Sequence, residues 1–132
     1  MKEKLQKLLN NSYTPYYKYP VASIVIMKDN TLFEGVNVET SSPASGICAE
    51  RNALYSAIAA GYTKGDVKEI HVMSKTEDDC FPCFICRHAL NDLCDRDTKV
   101  FSHTYSDKRI VMHTIEELCP YPFSDDNVKG SL

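Results

Sequence analysis

Cys48 and Glu50 stand two positions apart in SGICAERNALYSAIAAG (45–61), and Cys83 and Cys86 follow in FPCFICRHAL (81–90), where Pro82 precedes a C-x-x-C. Three thiolates that meet on one divalent ion leave the fourth position of a tetrahedral zinc open. That is the pattern of a catalytic site rather than a structural one. A thiol binds zinc as thiolate, so its surroundings must favour the anion at neutral pH. Three thiolates overcompensate a dication, which weakens it as a Lewis acid and opposes ionising its water; positive charge nearby is therefore wanted. Arg51 and Arg87 are placed in the chain to supply it. Glu50, beside an ion whose shell is already filled, suits a proton carrier for a water at the open position.

Other readings of the same residues stay open. Cys80 precedes the C-x-x-C by three and as a fourth thiolate would close the site. Glu50 is also what an ordinary first helical turn favours, and the two arginines are also what a solvated surface carries. Cys94 and Cys119 read as small buried apolar residues. His71, His88, His103 and His113 lack ligand-like spacing and read as structural.

Helix starts should position the thiols, because unpaired N–H groups and the macrodipole there favour negative charge. One helix is expected over 48–60, closed by Gly61, and a second over 83–94 with Cys86, Ala89, Leu90 and Leu93 on one face. Ahead of them, Leu5, Leu8 and Leu9, with Ser12, mark a helix over 2–11 that Asn10 and Asn11 end. Apolar alternation predicts a hairpin of strands 21–27 and 31–38 around the turn at Lys28, Asp29 and Asn30, its far end carrying Asn37 and Glu39. In strand alternation those two side chains share a face. A Ser, Pro and Gly-bearing loop spans 40–46, and further strands are expected over 70–74, 99–105 and 108–113, the last two flanking a turn at Ser106 and Asp107. Thr114 and Glu117 form a capping box opening a short final helix. Strands alternating with helices imply an α/β layered domain.

The 132 residues, 43% of them apolar, suit one domain over 1–132, and no apolar run is long enough to cross a bilayer. The N-terminal MKEKLQKLLNN is charged, without a cleavable apolar core, so a cytoplasmic protein is expected. A net charge of −3 with scattered Lys and Arg gives no basic stripe for a phosphate backbone; a small uncharged substrate suits the chain better than a polynucleotide.

A Cys two before a Glu, then P-C-x-x-C, is the arrangement of zinc deaminases. With CAERNAL and PCFICR, the pieces YTPYYKYPVAS, EGVNVE and EELCPYPF make the chain resemble, nearly end to end, the small tetrameric cytidine deaminases of free-nucleoside salvage. The resemblance implies a three-layer α/β/α fold with a mixed five-stranded sheet and one zinc per chain. It implies hydrolytic deamination of cytidine and deoxycytidine, with Glu50 taking a proton from the water and returning it to ring N3 and the departing amine. It gives Asn37 and Glu39 the ribose, and Tyr19, Ala49 and Phe123 the base. The resemblance has Phe123 reach in from a neighbouring subunit, which makes an oligomer necessary, and implies a homotetramer with shared sites. Arg51 and Arg87 are expected to bond the thiolates.

The chain departs from that family at VASI (21–24), at Pro43, and at Phe84 and Ile85, where small residues or an aromatic are usual. Blasticidin S deaminases resemble it in VAS and GVNV but lack the Glu at position 39. A catalytically silent, zinc-stabilised binding protein is the alternative from another class, and Glu50 argues against it.

Overall fold

The computed structural model describes residues 1–106, 108–124, 126 and 128. Its elements are α1 (Lys2–Leu9), β1 (Val21–Met27), β2 (Leu32–Val36), a 3₁₀ turn (Pro43–Ser45), α2 (Ala49–Ala59), β3 (Val67–Ser74), α3 (Phe84–Leu93), β4 (Lys99–His103), β5 (Ile110–Thr114) and α4 (Ile115–Leu118). The strands form one sheet of order β2-β1-β3-β4-β5. Only β3 and β4 pair in parallel; the other neighbours run antiparallel, so the sheet is mixed.

Side-chain alternation assigns the two faces. Ala22, Ile24 and Met73 pack against Leu5, Leu8 and Leu9 of α1. Val25, Ile70 and Val100 pack on the opposite face against Leu54 and Ala57 of α2, Leu90 of α3 and Leu118 of α4. This is the expected α/β/α layering, and each fully buried Leu or Ile contributes on the order of 1.5–3 kcal/mol of burial. Ile24, one of the departures at 21–24, is thus a core residue under α1.

Several boundaries differ from the sequence reading. Helix α1 stops at Leu9, and Ser12 extends no stripe: its Oγ donates to Val21 O at 3.1 Å. Strand β2 is shorter at both ends. Asn30 takes φ +71° and Asp29 Oδ1 accepts from Thr31 N at 3.0 Å, which keeps Thr31 in the turn. At the far end Asn37 Oδ1 accepts the Val21 N–H at 2.8 Å in place of a backbone carbonyl, and Asn37 O turns to Tyr13 N at 3.1 Å. Strand β3 begins at Val67, earlier than expected, because Met27 and Ile26 of β1 pair with Val67 and Glu69. Strand β4 ends at His103, since Tyr105 N donates to Thr76 O at 2.9 Å. Of the expected turn at 106–107, Asp107 lies outside the described residues.

One glycine seats the start of α2, another marks its end, and a capping box opens α4. Gly35 of β2 lies so close beneath α2 that a Cβ there would stand 2.4 Å from Ala53 N and 2.5 Å from Ala49 O. The glycine lets the first turns of α2 rest on the hairpin. Gly61, at φ +103°, takes the left-handed conformation just past the end of that helix. The capping box of α4 is present: Thr114 Oγ1 accepts from Glu117 N at 3.2 Å, and Thr114 N donates to Glu117 Oε1 at 3.0 Å. Among the described residues no helix is long and apolar enough to cross a membrane.

Candidate active site

Helices α2 and α3 start side by side on the same face of the sheet. Cys48 and Cys83 are their N-cap residues, one position outside the helices rather than within them, and Cys86 lies in the first turn of α3. One sulfur from each of the three falls within 4.8 Å of the others, and Cys48 Sγ is 3.4 Å from Cys83 Sγ. Sulfurs about 2.3 Å from a tetrahedral ion stand roughly 3.8 Å apart, so the cluster fits a zinc ion with one position left for water. Cys83 Sγ also accepts from Cys86 N at 3.5 Å.

The surroundings favour the anion at Cys48 and oppose it at Cys86. A bond from Cys86, opposed by burial and reinforced by Arg51, holds Cys48 down at about 5. The same pairing with Cys48, together with burial, pushes the Cys86 thiol up. Arg51 Nε donates to Cys86 Sγ at 3.4 Å and its Nη2 to Cys48 Sγ at 3.5 Å, so one guanidinium spans both helix starts. Arg87 departs from the expectation that it bonds a thiolate. Its Nε donates to Pro82 O at 2.7 Å and its Nη1 to Leu118 O at 3.1 Å, and the guanidinium stacks 4.3 Å from the Phe84 ring centroid. The carbonyl of Pro82, two residues before α3, thus holds the arginine.

Glu50 follows in the first turn of α2, with 4% of its surface exposed. Burial, with the Cys48 thiolate adding to it, pushes its carboxyl up to about 7. A carboxyl poised near neutrality can both take and return a proton.

These groups open into a cavity of about 630 Å³ lined by Cys48, Ala49, Glu50, Arg51 and Cys83 together with Tyr19, Asn37 and Glu39. Cavity and sulfur cluster together gather all but two of the residues singled out in the sequence. Asn37 Nδ2 donates to Tyr19 O at 2.8 Å, and Glu39 Oε1 accepts from Tyr16 N at 2.9 Å and Tyr17 N at 2.8 Å. Both side chains order the tyrosine-rich segment and retain capacity for further hydrogen bonds. Pro43 and Ile85, two of the departures from the family pattern, line the cavity. Cys86 is fully buried in the sulfur cluster and does not line the cavity, and Arg87 and Phe123 belong to neither. Phe123 is 63% exposed and stacks on His88, with centroids 6.5 Å apart.

Cys80 stands apart from the metal cluster, which leaves the open position intact among the described residues. Its thiol lines the cavity, and burial, then the Glu50 charge, pushes it up to about 12. Cys94 is buried as expected, but Cys119 is only partly so. His71 Nδ1 lies 2.8 Å from His103 Nε2, and its Nε2 is 3.1 Å from Glu69 Oε1. Parallel pairing of β3 with β4 creates that contact, and single-residue spacing carries no sign of it.

A paired start of two helices, with three sulfurs and a buried carboxyl at one cavity, defines a zinc-deaminase type of site. Residues 1–102 match the family model described as "Cytidine and deoxycytidylate deaminase zinc-binding region", and the chain belongs to that family. It is 33% identical over 129 residues to the cytidine deaminase of Halalkalibacterium halodurans, covering 97% of this chain and 94% of that one. It is 34% identical over 99 residues to that of Mycoplasma genitalium, covering 75% of each. The crystal structure of the cytidine deaminase from Burkholderia pseudomallei superposes with a TM-score of 0.86 at 30% identity, covering 92% of this chain and 94% of that one.

Proposed function

We propose that the protein hydrolyses the exocyclic amine of free cytidine and deoxycytidine, yielding uridine or deoxyuridine and ammonia, as one catalytic domain. The observation that carries this is the buried Glu50 carboxyl beside the Cys48, Cys83 and Cys86 sulfurs at a cavity of nucleoside size. Zinc bound by those three sulfurs supplies Lewis acidity toward a water.

The chain's own residues do the rest. Glu50 accepts a proton from the attacking water and delivers it to ring N3, which makes C4 electrophilic. With the water oxygen bonded to C4, Glu50 takes the remaining hydroxyl proton to the amine, and the C4–N bond breaks to release ammonia and leave the C4 carbonyl. Arg51 offsets the surplus negative charge of the sulfurs. Asn37 and Glu39 hold the sugar hydroxyls, while Tyr19 and Ala49 flank the base.

The working assembly proposed is a homotetramer. Phe123, exposed and outside its own chain's cavity, supports its reaching a neighbour's site. A net charge of −3 supports a free nucleoside over a polynucleotide, and six free thiols support a reducing, cytoplasmic setting for pyrimidine salvage. An ultraviolet assay of the purified protein with cytidine, deoxycytidine and blasticidin S tests the reading. Turnover of blasticidin S alone, or of none of the three, would overturn it.

A further inference from the structure

Ser74, the last residue of β3, is fully buried at 0% exposure, yet its side chain is polar. Its Oγ accepts from the Tyr19 hydroxyl at 3.2 Å and lies 3.0 Å from Thr76 Oγ1. The Cys80 thiol, pushed up chiefly by burial, feels an opposing pull from the same two hydroxyl groups, Ser74 and Tyr19. A small cluster of hydroxyls and a thiol thus lies behind one wall of the cavity, and Tyr19 and Cys80 are lining residues.

Tyr19 needs such a partner. It lies in the extended segment before β1, with nearly half its surface exposed, and no neighbouring turn of helix restricts its χ1. Asn37 fixes only its backbone, by a 2.8 Å bond to Tyr19 O. The hydroxyl bond to Ser74 is what selects one orientation of the ring. Ser74 pairs with Val21 of β1 at the end of a central strand, which holds that anchor in the sheet.

We propose that Ser74 is a positioning residue for nucleoside binding, holding the Tyr19 ring in place as a fixed cavity wall. The proposal rests on the cavity being a nucleoside site. Ser74 acts through Tyr19 and touches none of the groups assigned to proton transfer. Its loss lets the ring populate other rotamers, and apparent affinity falls with the fraction of molecules that keep the binding orientation.

The test uses the purified zinc-containing protein and its Ser74→Ala, Tyr19→Phe and doubly substituted forms. Two readouts are taken: KM and kcat for cytidine, and the Kd of uridine by calorimetry, which needs no turnover. Each single substitution is expected to raise KM and Kd about fivefold, the usual worth of one hydrogen bond. For Ser74→Ala, kcat stays within about twofold of the parent. The double form should be no worse than the weaker-binding single form, since both substitutions break one bond. Factors that multiply in the double form, or a Ser74→Ala protein with unchanged KM and Kd, overturn the proposal. Should Ser74→Ala fail to fold, Tyr19→Phe decides, and an unchanged uridine Kd there overturns it. A parent that lacks cytidine turnover refutes the deaminase reading, while its uridine Kd still tests Ser74. A parent that binds no uridine overturns both.

Discussion

Arg51 Nε lies 3.4 Å from Cys86 Sγ, a contact from the first turn of α2 to the first turn of α3. With Nη2 on Cys48 Sγ at 3.5 Å, the guanidinium bridges the two sulfur-bearing segments and offsets their charge where burial leaves little solvent to do so.

Arg51→Gln is therefore expected to weaken zinc binding by roughly 10- to 100-fold, the usual cost of losing a partner that orients metal ligands. Competition with a chromogenic chelator measures it. Arg87→Gln should leave zinc affinity near the parent value and lower the thermal midpoint instead, because Arg87 ties Pro82 O to Leu118 O. Equal zinc affinities for the two variants would contradict the division of labour.

Zinc content should follow the sulfur cluster. Cys48→Ala, Cys83→Ala and Cys86→Ala each remove one of three sulfurs within 4.8 Å of one another, and each is expected to lose most of its metal. Cys94→Ala and Cys119→Ala should retain about one zinc per chain, and so should Cys80→Ala, whose thiol faces Tyr19 and Ser74. Emission spectrometry on the six proteins checks this. A Cys80→Ala protein without zinc would place a fourth thiolate on the ion.

What was legible in the sequence, and what was not, follows from the range of the interactions. Cys48, Glu50, Cys83 and Cys86 could be placed because helix-start spacing is a local property, and the observed helices begin within one residue of the expected positions. The hairpin was equally local, but its end was not: Asn37 substitutes its side chain for a ladder bond, and alternation cannot reveal that. Arg87 was misread for a similar reason, since sequence adjacency to Cys86 says nothing about a carbonyl at Leu118. The His71–His103 contact and the Ser74 cluster depend on which strands become neighbours, so they appear only once the sheet is assembled.

That histidine contact gives a pH dependence with a definite sign. Burial holds His71 below its ordinary 6.5, against a weaker opposing pull from Glu69. A histidine depressed in the folded state contributes stability above its unfolded pKa, and that stability is lost as pH falls. The thermal midpoint should therefore drop as pH is lowered from about 7.5 to 5.5, and His71→Gln should flatten the dependence across that window. Parallel slopes for the two proteins would remove His71 from the account.

Phe123→Ala tests whether the site is shared. The residue is 63% exposed and absent from its own chain's cavity, so within one chain its removal should change nothing at the site. In a tetramer that shares its sites, KM for cytidine should rise severalfold while zinc stays bound. Light scattering on the same samples reports the assembly, and a fully active monomer would dispose of the shared site.

Glu50→Gln separates the proton carrier from the metal ligands. The amide keeps the size of the carboxyl and much of its hydrogen bonding, but it cannot accept and return a proton. Burial already pushes the Glu50 carboxyl up to about 7, so a neutral amide is no harder to accommodate at that position, and fold and thermal midpoint should be retained. Zinc should be retained too, because the cluster that fits it is made of three sulfurs. Positioned general acid and base catalysis is worth roughly 10²- to 10⁴-fold, and here one residue serves several transfers, so kcat should fall at least that far. Uridine binding should change much less, since Asn37, Glu39 and Tyr19 remain. Cys48→Ala, by contrast, should lose metal and turnover together. Near-parental turnover in Glu50→Gln would leave Glu50 as a helix-start carboxylate and end the proposed mechanism. Loss of zinc from that variant would instead put Glu50 in the metal's shell, at the position the three sulfurs leave for water.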